Sequence, residues 1–401
     1  MCTPSRPRGA AAREGHAEPP TLAQIVRDYG DSVRRSLPLT SPQRRVLHAI
    51  EVCRTPALGG HLERCDRCGA QRAVYHSCRN RHCPQCQALA QARWVEARLA
   101  ELLPIPYFHV VFTLPHALNP LAQHCPRLIY TLLFRCAAET LQTFARDPQH
   151  LGGELGVTAV LHTWGQNLSQ HLHLHCVVAG GALAHDGTRW IPARKGFLFP
   201  VRALSKVFRA KVLAALDRAA ARQRLPADLD VGDLLRTLRG TPWVVYAKPP
   251  FGGPEQVLAY LGRYTHRIAL SNDRILALHD GVVDFRWRDY ADGNRTKTLR
   301  LTAPELLRRF LLHVLPPGFP RIRHFGLLAN RHRAQRLARC RALLAVASPP
   351  RPPPPHEAAL DTLRRLTGVD LTRCPVCYEG KLRLVAQLAP GAASPALLDT
   401  S

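Results

Sequence analysis

The segment His171–Ala179, which reads HLHLHCVVA, places the strongest constraint on how this chain can fold. Its three histidines stand at alternate positions and are separated by apolar residues. Alternate side chains share a face in a β-strand, so the pattern predicts a strand with one imidazole face and one apolar face. The side chains of His173 and His175 then stand about 6–7 Å apart along the strand, a spacing that can converge on one metal ion.

Further segments predict the partners of this strand. Gly156–Trp164 (GVTAVLHTW) ends six residues before it, and a loop of that length favours antiparallel pairing of the two strands. Tyr107–Leu114 and Pro242–Lys248 also read as strands, and 274–302 reads as a meander with Asp-Gly turns. Helical periodicity marks other stretches: 21–52, 87–103, 201–240 and 304–345. The sequence therefore predicts an α+β fold around a central antiparallel sheet.

The charge of the chain indicates its partner. Lysine and arginine total 55 against 29 acidic residues, which gives a formal net charge of +26 and a pI near 10.5. A balance this basic indicates a polyanion, and nucleic acid is the usual one. No run of about 18 apolar residues is present, so we expect no membrane partner. Met1–Pro20 lacks the apolar core of a signal peptide, which favours a cytoplasmic protein.

Cysteine spacing predicts a zinc module near the N-terminus. Cys65-x2-Cys68 and Cys83-x2-Cys86 form two CxxC pairs, the spacing typical of tetrahedral Zn²⁺ sites with four sulfur ligands. We expect these four thiols to bind one structural Zn²⁺, with Cys78 or His82 in reserve. A further CxxC, Cys374 and Cys377, supplies two thiols alone. It could complete a site with His356 or Cys340, or bind nothing.

Two tyrosines predict a nucleophilic site. Tyr260 and Tyr264 lie four residues apart in a segment, 254–266, that reads as a helix, so their phenols share one helical face. Arg263, Arg267 and the preceding Lys248 are candidate contacts to DNA phosphates. Tyrosine is a poor nucleophile near neutral pH because its pKa is about 10, and a phosphodiester is a poor electrophile because its oxygens are negative. A metal ion and nearby cations favour the phenolate and neutralise the charge on the phosphate. The alternative is an aromatic pair packed into the core.

Together, these motifs resemble one bacterial family. His173-Leu-His175 is similar to the HUH motif, two histidines around a hydrophobic residue. Tyr260 and Tyr264 are similar to the paired tyrosines of its two-tyrosine branch. Further similar segments are LHTWGQNL at 161–168, VVYAKPPFGGPEQVLAYLGRYTHRIALSN at 244–272, RIRHFGLLANRHR at 321–333 and SCRNRHCPQCQ at 77–87. Over roughly residues 40–378 the chain resembles the rolling-circle transposases of the IS91 family, relatives of Helitrons.

The resemblance implies a mechanism and a set of partners. The sheet would be of HUH-endonuclease type, and His173 and His175 would hold Mg²⁺ or Mn²⁺. Tyr260 and Tyr264 would nick single-stranded DNA through a 5′-phosphotyrosine and free a 3′-OH. The partners would be single- and double-stranded DNA at element ends and target, in the bacterial nucleoid. One departure is Leu172, where the family often has proline; it lies outside the metal-binding pair.

The third metal ligand stays open at this stage. Gln166 and His162 lie on or just after the neighbouring strand, and His109 and His266 are further options. Imidazole ligands are unusual for Mg²⁺, so Mn²⁺ is at least as plausible.

The parts of the chain are then predicted in order. Residues 1–20 form a disordered tail, and 21–103 form a zinc-binding DNA-recognition domain. The catalytic domain covers 104–303 and is followed by a helical region at 304–346. A proline-rich linker and a tail occupy 347–401. A replication initiator or relaxase would share the chemistry, and an inactive zinc-dependent DNA-binding protein would share the fold. The zinc module and the 244–272 segment favour the transposase.

Overall fold

The computed structural model describes residues 19–248, 269–290, 292–346 and 357–391, together with Glu255, Gln256, Leu258 and Gly262. Its α-helices are α1 (Leu22–Ser36), α2 (Ser41–Glu51), α3 (Ala88–Leu99), α4 (Asn119–His124), α5 (Pro126–Arg146), α6 (Val201–Ala221), α7 (Val231–Gly240), α8 (Ala303–Leu311), α9 (Arg333–Leu343) and α10 (Ala359–Thr367). Its strands are β1 (Gly60–Cys65), β2 (Gln71–Tyr75), β3 (Tyr107–Thr113), β4 (Gly153–Trp164), β5 (Gln170–Ala184), β6 (Trp190–Pro192), β7 (Val245–Lys248), β8 (Ile275–His279), β9 (Val282–Asp289), β10 (Arg295–Thr302), β11 (Ile322–Gly326) and β12 (Leu382–Leu388).

The largest sheet is antiparallel and has the strand order β11-β4-β5-β3-β7, with β6 paired to the far end of β5. The predicted pairing of the histidine strand with its upstream neighbour is confirmed, and His162 of β4 lies directly opposite His173 of β5. On the other side of β5, Thr113 of β3 faces His173. The histidine strand is therefore central, with a paired strand on each side.

The apolar face of this sheet carries the main core. Leu172, Leu174 and Cys176 of β5 are buried there with aromatic side chains of β3 and of helices α5 and α6. The rings of Phe112 and Phe208 lie 4.9 Å apart between centroids, which joins β3 to α6. Because successive strand residues alternate, this packing directs the histidines of β5 to the opposite face.

The imidazole face is covered in part by a smaller core. Val160 and Val177, the neighbours of the histidines on β4 and β5, are buried with Leu258 and with Leu337 of α9. Gly262 lies against α3, since a Cβ built on it would meet the Val95 Cγ2 at 2.3 Å. Leu258 and Gly262 belong to the segment that was predicted as the tyrosine helix, and both have helical conformation.

A second sheet, the predicted meander, has the order β10-β9-β8. Its buried side chains join those of α1, α2 and α8 in a second core, which also takes in Trp164 at the end of β4 and Leu168 in the following turn. The sequence sets these helices locally: α2 begins with a capping box between Thr40 and Gln43, and the Thr302 hydroxyl accepts a hydrogen bond from the first turn of α8. An ion pair between Arg34 and Glu51 joins α1 to α2.

Two expectations for the C-terminal part were wrong. The region 304–346 is not wholly helical, because β11 lies between α8 and α9 and pairs with β4 as an edge strand of the central sheet. Residues 382–388, predicted as part of the tail that follows the proline-rich linker, form β12, which pairs with β1 in a third sheet of order β12-β1-β2. Both strands find their partners far away in the chain, so local periodicity did not reveal them. No helix among the described residues is long and apolar enough to span a membrane.

Candidate functional site

Three imidazoles converge on the polar face of the central sheet. The side-chain nitrogens of His162, His173 and His175 that could bind a metal all lie within 4.8 Å of one another. Two of these residues come from β5 and the third from the opposite position on β4, so the sheet register itself assembles the cluster. His162 and His175 are buried, and His173 is half-buried. The strand positions thus provide three nitrogen ligands on one side of one potential ion.

Burial keeps these imidazoles neutral. It lowers the pKa of His173 to about 3, and it holds the pKa values of His162 and His175 well below the usual range. The neutral form carries the lone pair that binds a metal, so the cluster is in the ligating state at neutral pH.

Hydrogen bonds orient two of the three rings. The Nδ1 of His173 donates to the backbone carbonyl of His171 at 2.9 Å, which leaves its Nε2 as the free lone pair. The Nδ1 of His175 lies 2.8 Å from the Nε2 of His109, and the two rings stack with centroids 5.0 Å apart. A second hydrogen bond that fixes the tautomer and direction of a ring is typical of metal-binding histidines.

The cluster lines a pocket of about 360 Å³. One wall is the β4–β5 turn with Trp164 and Gln166, and the opposite wall is the end of β9 with Trp287, Asp289 and Tyr290. The guanidinium of Arg274 holds the two walls together, because it donates to the carbonyls of Gln166, Ala269 and Arg286.

The β4–β5 turn is held in a strained form beside this pocket. Leu168 has φ of +63°, a left-handed conformation that costs a residue other than glycine about 1–3 kcal/mol. Its side chain is fully buried, and its carbonyl lies 3.1 Å from the Nε2 of His313. These contacts fix the turn, so that Gln166 and Asn167 reach the pocket wall.

The predicted candidates for a third ligand are separated by the geometry. His162 lies in the cluster, whereas the Gln166 amide lies 3.4 Å from the hydroxyl of Tyr290 on the pocket wall. His109 contacts His175 from outside the cluster. His171 shares the face of His173 as predicted, with ring centroids 4.9 Å apart, and its Nδ1 lies 3.2 Å from the Nε2 of His116.

The other predicted site residues are placed as far as the structure describes them. Lys248 ends β7, is exposed, and lies opposite His109 of β3 in the register, so it shares the imidazole face. Tyr260, Tyr264, Arg263, Arg267 and His266 lie outside the described residues.

Within the described part of the chain, the cysteines form two clusters instead of the single site predicted. The thiols of one cluster are Cys53, Cys78, Cys83 and Cys86, and those of the other are Cys65, Cys68, Cys374 and Cys377. Grouping the first two CxxC pairs into one site was therefore wrong. Cys65 lies at the end of β1, where the sheet directs it toward the C-terminal CxxC instead. Cys78, held in reserve, is a full member of the first cluster. Cys53 was missed, since it has no CxxC partner in the sequence.

The first cluster has the dimensions of a zinc site. Its Sγ–Sγ distances include 3.4 Å for Cys53 and Cys86, 3.6 Å for Cys78 and Cys86, and 3.7 Å for Cys53 and Cys83. A tetrahedral Zn²⁺ with Zn–S bonds of about 2.3 Å has Sγ–Sγ edges of about 3.8 Å. The distances far exceed the roughly 2.05 Å of a disulfide, so the thiols are arranged as ligands.

Fold and clusters together define a basic, mixed α/β protein with one nitrogen-rich and two sulfur-rich candidate metal centres. The chain belongs to a family of transposases: residues 25–114 match the family model described as "Transposase zinc-binding domain", of IS91 type, and residues 156–336 match the one described as "Putative transposase". The first cysteine cluster lies wholly inside the zinc-binding match, which supports structural Zn²⁺ there. A transposase acts on DNA, which is the polyanion that the net charge indicated.

Two relatives cover most of the chain. It is 51% identical to "Putative transposase y4qJ" of Sinorhizobium fredii, over 95% of this chain and 99% of the relative. It is 28% identical to "Transposase for insertion sequence element IS801" of Pseudomonas savastanoi pv. phaseolicola, over 81% of this chain and 79% of the relative. No solved structure matches it.

Proposed function

We propose that this transposase nicks and transfers single-stranded DNA with tyrosine nucleophiles beside a metal ion held on the imidazole face. The observation that carries the proposal is the cluster of three neutral imidazoles, two buried and one half-buried, which opens into a pocket between the β4–β5 turn and β9. A histidine that only fills the core does not require two further imidazole nitrogens within 4.8 Å, whereas a metal ligand does. Three nitrogen ligands also leave open positions on an ion for a phosphate oxygen.

His162, His173 and His175 would hold the ion, and His109 would orient His175 from behind. Nitrogen ligands suit Mn²⁺ better than Mg²⁺, which prefers oxygen. When bound, the ion would polarise a phosphodiester and lower the barrier to attack on phosphorus. As the third ligand beside His173 and His175, we prefer His162 to Gln166, because His162 lies in the cluster.

Tyr260 and Tyr264 are the nucleophiles in this proposal. Two described residues near them in the sequence support the assignment: Leu258 is buried with Val160 and Val177 of the imidazole face, and Gly262 lies against Val95 of α3. The chain between these two residues carries Tyr260. Leu258, two residues before Tyr260 in the sequence, is thereby tied to the same sheet face as the imidazole cluster.

The chemical step balances without an external energy source. A tyrosine phenol oxygen forms a bond to phosphorus and gives up its proton, while the bond from phosphorus to the 3′ oxygen breaks and that oxygen takes up a proton. The products are a 5′-phosphotyrosine and a free 3′-OH. The phosphodiester energy is kept in the new linkage, so the reverse attack by another 3′-OH rejoins a strand. A second tyrosine lets two strand ends be held at once, as a rolling-circle transfer requires.

Positively charged side chains would contact the phosphates of the DNA backbone. Lys248 is exposed on the imidazole face at the edge strand β7, where it can meet a phosphate that approaches the cluster. Arg263 and Arg267 are assigned the same role from the sequence. The substrates would be single-stranded DNA at the element ends and duplex DNA at the target, in the bacterial nucleoid.

The proposal is tested by separating cleavage from binding. A labelled single-stranded oligonucleotide from an element end is incubated with the full chain and Mn²⁺ or Mg²⁺. The double variant His173→Ala/His175→Ala should lose cleavage and retain binding of the oligonucleotide. The variant His48→Ala, which removes an exposed histidine of α2, is the matched control and should cleave normally. Cleavage that persists in the double variant would refute a role for the cluster.

A further inference from the structure

A second four-thiol cluster joins an N-terminal and a C-terminal part of the described chain. Cys65 ends β1 and Cys68 follows it, and Cys374 and Cys377 precede β12. The Sγ–Sγ distances are 3.7 Å between Cys65 and Cys377 and 3.7 Å between Cys68 and Cys374. Both match the edge of about 3.8 Å expected around tetrahedral Zn²⁺. Cys374 and Cys377 lie outside both family matches, which end at residues 114 and 336.

Each CxxC forms a tight turn whose backbone amides point at sulfur. The amides of Arg67 and Cys68 donate to the Cys65 Sγ at 3.4 and 3.5 Å. In the C-terminal turn, the amide of Val376 donates to the Cys374 Sγ at 3.4 Å, and that of Gly380 donates to the Cys377 Sγ at 3.3 Å. Amides that donate to sulfur favour the thiolate form, which is the form that binds metal.

The backbone around the cluster fits closely enough to exclude a side chain. A Cβ built on Gly380 would meet the Cys65 Sγ at 2.3 Å and the Asp66 Oδ1 at 3.0 Å. Asp66 accepts a hydrogen bond from the Lys381 amide at 2.7 Å, and β1 pairs with β12 directly beside it. The two turns are therefore packed face to face, with glycine where they touch.

We propose that Cys65, Cys68, Cys374 and Cys377 bind a second structural Zn²⁺ and form a zinc ribbon built from two distant parts of the chain. Cys68 and Cys374, which lie 306 residues apart in the sequence, would bind the same ion. The C-terminal CxxC and β12 then belong to the same module as the N-terminal hairpin. Removal of the last part of the chain would thus damage the zinc-binding region at its beginning.

The metal content of the purified full chain tests this directly. Wild type should hold one more thiolate-bound metal than the double variant Cys374→Ala/Cys377→Ala. With Co²⁺ in place of Zn²⁺, the sulfur-to-cobalt charge-transfer absorption of the variant should fall to about half, since one of two four-thiol clusters is lost. Cys125→Ala, which removes a half-buried thiol outside both clusters, should keep the full signal. An unchanged signal in the double variant would overturn the proposal.

A measurement on the unaltered chain covers the case in which that variant fails to fold. Wild type is treated with a thiol-alkylating reagent before and after chelation of Zn²⁺, and each cysteine is followed by mass spectrometry. Cys374 and Cys377 should be protected together with Cys65 and Cys68, and should react at least 10-fold faster after chelation. Equal reaction of Cys374 and Cys377 in both states would contradict zinc binding there.

Gly380→Ala offers a test that keeps all four thiols. The new methyl would press on the Cys65 Sγ, so the second zinc should be released at lower chelator concentration than in wild type. Gly240→Ala is the matched control, because a Cβ there would meet nothing within 4 Å. Equal zinc release from Gly380→Ala, Gly240→Ala and wild type would show that the packed turns do not form the site.

An independent observation concerns a cleft lined with arginine on the opposite face of the central sheet. The cleft has a volume of about 580 Å³, and its lining contains no carboxylate among the described residues. The arginines that line it are Arg127, Arg135, Arg218, Arg222, Arg224 and Arg323. They come from α5, the end of α6 and β11, and Arg323 lies over the ring of Phe134 on the helix-covered face. The cleft is therefore separated from the imidazole cluster by the sheet itself.

We infer that this cleft binds the backbone of duplex DNA, apart from the strand that is cut. Arg135 pairs with the Glu139 carboxylate beside the cleft, and the lining itself contains no carboxylate among the described residues. Such a set of guanidinium groups favours a ligand with a row of anionic oxygens, and a phosphate backbone supplies one. The inference rests on the proposed function for the choice of DNA as the polyanion. It assigns the duplex to the helical face and leaves the single strand to the imidazole face.

The salt dependence of duplex binding tests the assignment. In the triple variant Arg218→Gln/Arg222→Gln/Arg224→Gln, the slope of log K against log salt concentration should become less steep by about 2–3, since each lost phosphate contact changes it by about 0.9. Cleavage of a short single-stranded oligonucleotide should persist, which separates this result from failure of the proposed nicking chemistry. The control Arg236→Gln/Arg295→Gln/Arg300→Gln removes arginines that pair with carboxylates and should keep the wild-type slope. A wild-type slope in the cleft variant would overturn the inference.

Discussion

Gly262, which lies between Tyr260 and Tyr264 in the sequence, tests whether packing against α3 matters for the proposed nucleophiles. A Cβ at this position would lie 2.3 Å from the Val95 Cγ2, about 1 Å short of the 3.4 Å at which ordinary van der Waals contact begins. Valine in a helix is nearly fixed at χ1, so Val95 cannot readily turn away. Gly262→Ala should therefore move residue 262 away from α3 by about 1 Å, and the proposed nucleophiles are the residues two positions before and after it in the sequence.

A displacement of that size has a large effect on a positioned nucleophile. Misplacement by about 1 Å can cost about 100-fold in rate, which corresponds to about 2.7 kcal/mol in the activation free energy. We expect Gly262→Ala to form the covalent protein–DNA adduct about 100-fold more slowly under single-turnover conditions. Binding of the oligonucleotide should fall much less than the rate, because Lys248 and the basic surfaces outside this segment are untouched.

Two further variants make this expectation refutable. Val95→Ala combined with Gly262→Ala removes the methyl groups that collide and should restore most of the rate. Gly240→Ala adds the same methyl where nothing lies within 4 Å and should behave as wild type. If Gly262→Ala cleaves at the wild-type rate, or if the double variant shows no recovery, the contact does not position the nucleophile.

Further outcomes are expected from the metal clusters and the sheet. His162→Ala should weaken Mn²⁺ binding, measured by calorimetry, by more than about 100-fold, since loss of an outer-shell partner alone costs 10–100-fold; Gln166→Ala should leave it within a few-fold of wild type, and equal effects would contradict the choice of third ligand. Cys53→Ala should release one zinc per chain and lower the thermal stability of the N-terminal region, because structural zinc contributes directly to folding; unchanged zinc content would refute its place in the first cluster. Gly326→Ala should lower the free energy of unfolding by about 3 kcal/mol, seen in chemical denaturation, since φ is +62° and a Cβ would meet the Leu155 carbonyl oxygen; a loss below about 0.5 kcal/mol would contradict the register of β11.

The sequence predicted the central strands well because their patterns are local. Alternation in β5 revealed an imidazole face, and the short loop before it revealed its partner β4. The meander was likewise readable from its Asp-Gly turns, and its order β10-β9-β8 agrees. In each case strand and turn are adjacent in the chain, so propensity and pairing point the same way.

The sequence could not predict contacts made between distant segments. The edge strand β11 was hidden between two helices, and its pairing with β4 joins residues more than 150 positions apart. The same holds for the cysteines: spacing identified each CxxC as a metal-binding turn but did not show which turns would meet. Cys65 and Cys377 lie 312 residues apart, a separation at which no local rule operates. His162 was a candidate from its strand, and only the register placed it opposite His173.

The most direct test of the central claim is to identify the residue that becomes bonded to DNA. The full chain is incubated with a single-stranded element-end oligonucleotide and Mn²⁺, digested with protease, and the modified peptide is sequenced by mass spectrometry. We predict a nucleotide linked through a 5′-phosphate to Tyr260 or Tyr264, and no adduct in the double variant Tyr260→Phe/Tyr264→Phe. An adduct on any other residue, or one that survives the double change, would contradict the assignment of these tyrosines as nucleophiles.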